Sequence, residues 1–171
     1  YTSPSGAAGA DGLFEAKIVF NMASTTGESW DDTVTLTPAG GTETVIALED
    51  LAVTETGARK TLTGTDTVVY LITLNWPDDM TTVGNNPFTL TVHEQGPMTM
   101  SFPPADDLTI TVTPYMPSMG HGSMGNVDPT YTLDGEYAGS VNFSMDGDWT
   151  VTFELSRAST VLGSVVYDLT L

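Results

Sequence analysis

The 171-residue sequence contains no cysteine. Disulfide bonds and thiolate ligands are therefore excluded, so any metal site has to use other donor atoms. Basic residues are also scarce, because only four lysines and arginines accompany 22 aspartates and glutamates, which gives a net charge of −18. This charge excludes electrostatic binding of nucleic acid and disfavours an anionic membrane surface, so cations are the expected partners.

Long apolar runs are missing as well. No run approaches the length of a membrane span, and no charged and then apolar leader opens the sequence. Residues 1–11 are small, and we expect them to be flexible. We interpret the chain as a processed or trimmed fragment that follows a signal peptide, a lipid or membrane anchor, or another upstream segment.

Alternation of apolar and polar residues predicts β-strands along most of the chain, whereas no segment has a convincing helical period. Four clear examples are FEAKIVFNM (14–22), NPFTLTVHE (86–94), DLTITVTP (107–114) and WTVTFEL (149–155). Turn residues, such as those of MDGDW at 145, separate the strands. About ten short strands at this spacing predict an all-β fold built as an antiparallel sandwich.

An internal repeat indicates two related units. GLFEAKIVFNM (12–22) aligns without gaps with GEYAGSVNFSM (135–145), and TVVYLITL (67–74) aligns with SVVYDLTL (164–171). The blocks occur in the same order in both halves, which indicates homologous β units.

The repeat predicts a division of the chain into a first unit at 1–76 and a second unit at 77–171. The first unit has no counterpart of residues 77–134, which carry the opening strands of the second. It is therefore either a reduced sandwich or a sandwich whose opening strands lie upstream.

The segment PYMPSMGHGSMG (114–125) concentrates three methionines and one of the two histidines. A thioether is a soft, neutral ligand that needs no deprotonation, so methionines with one histidine suit Cu(I) and, less well, Ag(I). The predicted copper ligands are Met116, Met119, His121 and Met124. The alternative is an architectural loop whose turn is shaped by Met-Pro and Gly-His-Gly, and the sequence leaves both interpretations open.

Methionine also fills gaps in protein cores. Four methionines outside this loop alternate with apolar strand residues and are predicted to lie in the core: Met22, Met98, Met100 and Met145. The last three would be further ligands if they folded near the loop. His93 is in phase with threonines of its strand and is predicted to be exposed.

Other chemistry finds less support in the sequence. Acidic pairs such as Asp31-Asp32 suit Ca²⁺, but none lies in an EF-hand loop, and turn formation explains Asp146-Gly147. Neither histidine has a serine or carboxylate partner by motif, and there is no phosphate-binding loop or HExxH motif. We therefore predict that the protein is not an enzyme.

Four motifs follow one another between residues 82 and 155: GNNPFTLTV, MPSMGH, GEYAGSVNFSM and DGDWTVTFEL. Their order and strand context resemble the YtkA-like family of small β-sandwich domains. The resemblance implies an immunoglobulin-like sandwich outside the cytoplasm, in the periplasm or at the cell surface, in proteins often associated with copper or other heavy metals. The first half has the closing blocks but no MPxMGH motif, so the resemblance implies no paired site there.

Two functional hypotheses follow. In the first, two immunoglobulin-like units form an extracytoplasmic protein that binds Cu(I) for sequestration or transfer, with a metal-handling protein as partner. In the second, the sandwich is a metal-free surface or periplasmic interaction module that uses its edge strands. The first predicts that the sulfurs of Met119 and Met124 and a nitrogen of His121 converge, and the second that these sulfurs pack or diverge.

Overall fold

The computed structural model describes residues 20, 22–38, 40–55, 57–77, 81–98 and 101–171. These residues form antiparallel β-strands and no α-helix, so the predicted all-β fold is confirmed. Most of the strand predicted at 14–22 lies outside the described residues. The strands are β1 Trp30–Leu36, β2 Thr44–Leu51, β3 Arg59–Thr63, β4 Val69–Asn75, β5 Gly84–Glu94, β6 Thr109–Met116, β7 His121–Gly122, β8 Val127–Tyr131, β9 Glu136–Phe143, β10 Asp148–Arg157 and β11 Thr160–Thr170.

The chain divides into two compact units. The smaller unit, Glu15–Thr56, contains an antiparallel hairpin of β1 and β2. The Phe20 and Trp30 rings pack against each other with centroids 5.4 Å apart. This unit therefore has a local aromatic contact beside its hairpin.

The larger unit, which includes Gly57–Leu171, contains two sheets. The strand order is β3-β4-β5-β9-β8 in the five-stranded sheet and β11-β10-β6-β7 in the four-stranded sheet. Phe88 of β5 and Phe153 of β10 meet across the space between the sheets with ring centroids 5.1 Å apart. The buried apolar side chains of both sheets form one cluster, so this unit is a β-sandwich.

Burial alternates strictly along β6, as expected for a strand with one face on the core. Ile110, Val112, Pro114 and Met116 face inward, and the intervening residues are exposed. Met116 is the last inward residue before the chain turns. The methionine-rich loop that follows, residues 116–124, therefore lies at one end of the sandwich.

The predicted boundary at residue 76 falls inside this sandwich. β4 pairs with β5 from Tyr70 opposite Glu94 to Asn75 opposite Thr89. Tyr70 is fully buried in the sandwich core. The structure instead divides the chain between Thr56 and Gly57. The physical reason is that similarity between two strands reveals a shared burial pattern but not the sheet that each strand joins.

Three methionines predicted to be core residues are exposed, so the prediction was wrong for them. The exposed fractions are 56% for Met22, 73% for Met98 and 38% for Met145. Each lies outside the strands, where alternation no longer determines burial. Met100 lies outside the described residues.

The prediction of an exposed His93 was also wrong, because only 4% of this residue is exposed. It lies opposite Leu71 of β4 and forms an isolated bridge with Pro104. Alternation with threonines could not show that this second face of β5 is covered too. Burial lowers the pKa of the His93 imidazole.

Candidate functional site

The methionine-rich loop, residues 116–124, starts at the end of β6, makes a tight turn and continues through β7. The N–H groups of Met119 and Gly120 both donate to the carbonyl oxygen of Met116, at 3.2 and 2.9 Å. Gly120 has a φ of +69°, in the left-handed region that glycine adopts without a steric penalty. β7 then pairs His121 with Met116 and Gly122 with Tyr115. The turn is therefore held by backbone hydrogen bonds at its start and by strand pairing at its end.

The second half of this loop is fixed to β9. The side-chain amide of Asn142 donates to the carbonyl oxygen of Met124 at 2.8 Å. Asn126 donates to the carbonyl oxygen of Ser123 at 2.8 Å and accepts from the Asn142 N–H at 2.9 Å. Two asparagines thus anchor the backbone that carries Met124.

The four predicted ligands differ in exposure. Met119 is 62% exposed and Met124 is 88% exposed, so both thioethers are open to water. Met116 is 3% exposed and belongs to the sandwich core. A Cβ atom on Gly147 would come within 2.6 Å of Met116 Cε, which shows how closely the neighbouring turn covers this side chain. The donors of the loop that are not buried are therefore the exposed Met119 and Met124 and the half-buried His121.

The hydrogen bond of His121 defines its tautomer. Nδ1 lies 2.8 Å from the carbonyl oxygen of Gly122. Because a carbonyl oxygen only accepts, Nδ1 must carry the proton in this arrangement. The neutral ring then has its lone pair on Nε2, the nitrogen that remains for a metal.

Trp149, at the start of β10, packs against the His121 ring. The ring centroids are 5.9 Å apart and the planes are inclined by 78°, an edge-to-face arrangement. Trp149 is 1% exposed, and its Nε1–H donates to the carbonyl oxygen of Met145 at 3.1 Å. The imidazole therefore rests on a buried and hydrogen-bonded indole.

A shallow cavity of about 290 Å³ lies beside the loop. Pro117 of the loop, Trp149 and Leu169 contribute its apolar lining. Asp148 and Asp168 add two carboxylates, and Asp148 Oδ1 accepts a hydrogen bond from Thr170 at 2.7 Å. These acidic groups place negative charge beside Pro117 of the loop and beside Trp149, which favours the approach of cations to this cavity.

Within the part of the chain that the structure describes, no three histidine, aspartate or glutamate side chains come together in a way that could hold a metal ion. In the loop itself, the nitrogen and sulfur donors of the side chains are the thioethers of its methionines and the imidazole of His121. This donor set fits a soft ion such as Cu(I) better than a hard cation, which prefers oxygen.

Sequence reasoning found the loop but missed the residues that hold His121. Trp149 was visible as the tryptophan after the Asp-Gly turn, but nothing in the sequence placed it against an imidazole. The carbonyl oxygen of Gly122 had no sequence signal at all. The burial of Met116, in contrast, could have been derived from its phase with Ile110 and Val112.

The described residues include no helix with the length and apolar character needed to cross a membrane. Comparison with protein families gave a match to the model described as YtkA-like, over residues 66–154. The match spans more than half of the chain and includes β4, the loop at 116–124 and Trp149. Neither the curated proteins nor the solved structures gave a match.

Proposed function

The chain belongs to the YtkA-like family, and we propose that it binds a soft metal ion, Cu(I), outside the cytoplasm for sequestration or transfer. The proposed ligands are Met119, His121 and Met124. The observation that carries this proposal is the presence of two exposed thioethers and an imidazole with a free Nε2 lone pair on one anchored loop. The family match supports the fold of the domain, and the loop residues support the metal.

Met116 has a different place in this proposal. Its side chain is packed in the core, so a ligand role would require the thioether to leave its apolar neighbours. We therefore assign Met116 to the packing beneath the loop. The remaining set of two sulfurs and one nitrogen suffices for a three-coordinate soft-metal site.

Exposure of the donors favours transfer over permanent storage. Incoming ligands of a metal-handling partner could approach Met119 and Met124 without prior unfolding of the loop, because both side chains face water. The excess of acidic residues would attract the cation or a basic partner. We propose binding and ligand exchange, not catalysis, as the activity.

A Cu(I) competition titration against a chromophoric chelator under anaerobic, reducing conditions tests the proposal. We expect one-to-one binding with a Kd below about 1 μM and its loss when Met119→Ala and His121→Ala are combined. A control protein with Met22→Ala and Met98→Ala loses two exposed methionines outside the loop and should bind like the wild type. Equal binding by the loop variant would refute the assignment.

A second candidate function is a metal-free interaction module, and β11 is the observation that favours it. This strand of 11 residues lies at the edge of the four-stranded sheet, and Val161 and Val166 on it are 49% and 43% exposed. An extended partner segment could add to such an edge. Failure of the wild-type protein to bind Cu(I) would favour this function.

A further inference from the structure

Trp149 has a role in the candidate site that extends beyond core packing. We infer that Trp149 is a positioning residue that holds His121 in the orientation and tautomer needed for metal binding through Nε2. The inference rests on the proposed function and adds to it a residue without a donor atom for the metal. It is carried by the contact between the Trp149 and His121 rings and by the hydrogen bonds on either side of that contact.

The His121 ring is restrained in two directions. The hydrogen bond from Nδ1 to the Gly122 oxygen, 2.8 Å long, restrains it within the ring plane. The indole of Trp149, inclined at 78° to the imidazole, restrains rotation out of that plane. A half-buried histidine in a surface loop would otherwise sample several rotamers, and these contacts reduce that freedom.

Trp149 is itself well held. Its ring lies 5.4 Å from the ring of Phe143, centroid to centroid, within the sandwich core. The Nε1–H bond to Met145 joins it to the turn between β9 and β10. A site on a loop is less precisely ordered than a site on a rigid element unless neighbouring residues hold it in place. The buried indole provides this rigid support for His121.

The arrangement also makes Trp149 a reporter. A metal on Nε2 at a bond length of about 2 Å would lie within about 9 Å of the indole centroid, whichever way the imidazole points, since the ring centroids are 5.9 Å apart. Binding should therefore change the environment of the Trp149 indole N–H. Trp30, in the other unit, serves as an internal reference for this signal.

The experiment uses NMR on the full chain, first without metal, at about pH 8, where imidazole is neutral. Long-range proton–nitrogen spectra report the tautomer of each histidine. We compare the wild type, Trp149→Phe and, as a matched control, Trp76→Phe, whose tryptophan packs on Phe88 and Phe143 in the same core. The same samples are then titrated with Cu(I) under anaerobic conditions.

We expect a protonated Nδ1 and unprotonated Nε2 on His121 in the wild type and in Trp76→Phe. In Trp149→Phe we expect a mixture of tautomers and Cu(I) binding weaker by about twofold to tenfold, the range of an aromatic pair contact. The Trp149 indole resonance should shift with one equivalent of Cu(I). These results together would support the inference.

The outcomes separate the positioning role from metal binding itself. Unchanged His121 tautomer and Cu(I) affinity in a folded Trp149→Phe protein would overturn the inference while the proposed function stood. If the wild type bound no Cu(I), the proposed function would fail, and the tautomers of the metal-free proteins would still decide the role of Trp149. If Trp149→Phe did not fold, the wild-type protein alone would decide. A His121 ring protonated on Nε2, or one without a nuclear Overhauser effect to Trp149, would refute the inference. A ring protonated on Nδ1 that shows this effect would support it.

Discussion

Gly122 contributes only a carbonyl oxygen to the candidate site, yet that oxygen determines which nitrogen of His121 is free. The position also tolerates little side-chain volume. A Cβ atom there would come within 2.8 Å of the backbone oxygen of Pro114, which cannot move away as a side chain could. The backbones of β6 and β7 are thus closely packed against each other next to His121.

We predict that Gly122→Ala separates β7 from β6 and disturbs His121. The expected loss in the free energy of unfolding is about 1–3 kcal/mol, the usual range for overpacking, together with weaker Cu(I) binding. Urea denaturation and the competition titration measure the two effects. Ser118→Ala, in the same loop at an exposed position, is the control and should leave both quantities unchanged.

His93 provides a prediction at the residue scale that is independent of metal. Burial lowers its pKa below the ordinary value of 6.5, so the unfolded chain takes up a proton at a higher pH than the folded chain. Stability contributed by the neutral ring is complete above that value and declines as pH falls through it. We predict a fall in the free energy of unfolding from about pH 7 to about pH 5 that is smaller in His93→Gln.

Two features isolate this effect. Burial alone would raise the pKa of Asp66, but hydrogen bonds from Tyr70 and the Val68 N–H outweigh it and lower the pKa below 3.8. Protonation of Asp66 therefore affects stability at a lower pH than protonation of His93. His121→Gln is the matched variant and should keep the part of the decline that the buried His93 imidazole causes, because it leaves His93 in place. Parallel pH profiles for wild type and His93→Gln would rule out the buried imidazole as the cause.

At the scale of elements, Arg157 joins strand ends from both sheets. This residue ends β10, and its Nη2 lies 2.6 Å from Glu94 Oε2 of β5 and 2.7 Å from Asp107 Oδ1, just before β6. Its Nη1 donates to the Tyr70 hydroxyl of β4 at 3.0 Å. Burial alone would lower the pKa of Arg157, but hydrogen bonds to Asp107 and Glu94 outweigh it and raise the pKa.

We predict that Arg157→Met lowers the free energy of unfolding by about 1–3 kcal/mol, because charged hydrogen bonds are lost and carboxylates are left close together. The expected loss is modest for three hydrogen-bonding partners because the Arg157 side chain is 27% exposed and water screens its charge. Arg157→Lys should recover only part of the loss, since an ammonium cannot form the same fork of hydrogen bonds. Urea unfolding at low and high salt measures the effect, and identical stability of Arg157→Met and wild type would contradict it.

Alternation in the sequence predicted strands such as β5, β6 and β10 well, because one face of each packs on the core and the period of two is direct evidence of that. The hydrogen bonds that join the elements could not be predicted. Asp128 Oδ1, for example, accepts from the Val112 N–H at 2.8 Å and so satisfies an edge group of β6 from another strand. Such contacts depend on the distance between strands, which no local pattern records.

At the scale of the whole molecule, the two compact units differ from the two units that the repeat predicted. The sandwich takes β3 and β4 from the half of the sequence that the repeat assigned to the first unit. The repeat rests on similarity between strands and could not show their partners, because pairing is decided by burial against a particular sheet. For the same reason the similarity of residues 67–74 to 164–171 did not predict that β4 is central and β11 lies at an edge.

We predict that residues 57–171 fold alone with cooperative unfolding, whereas residues 77–171 do not. The shorter piece lacks β4, so the core loses Tyr70, Ile72 and Leu74, and β5 loses its hydrogen-bonded neighbour. Circular dichroism and thermal unfolding of the two pieces test this. A cooperative transition for 77–171 at the same midpoint as 57–171 would show that β4 is dispensable.

X-ray absorption spectroscopy of the Cu(I)-loaded protein tests the central claim most directly, because it identifies the atoms bound to the metal. We predict a shell of both sulfur and nitrogen scatterers, with nitrogen lost in His121→Ala and sulfur lost when Met119→Ala and Met124→Ala are combined. A shell without sulfur, or one that neither variant changes, would contradict metal binding by this loop.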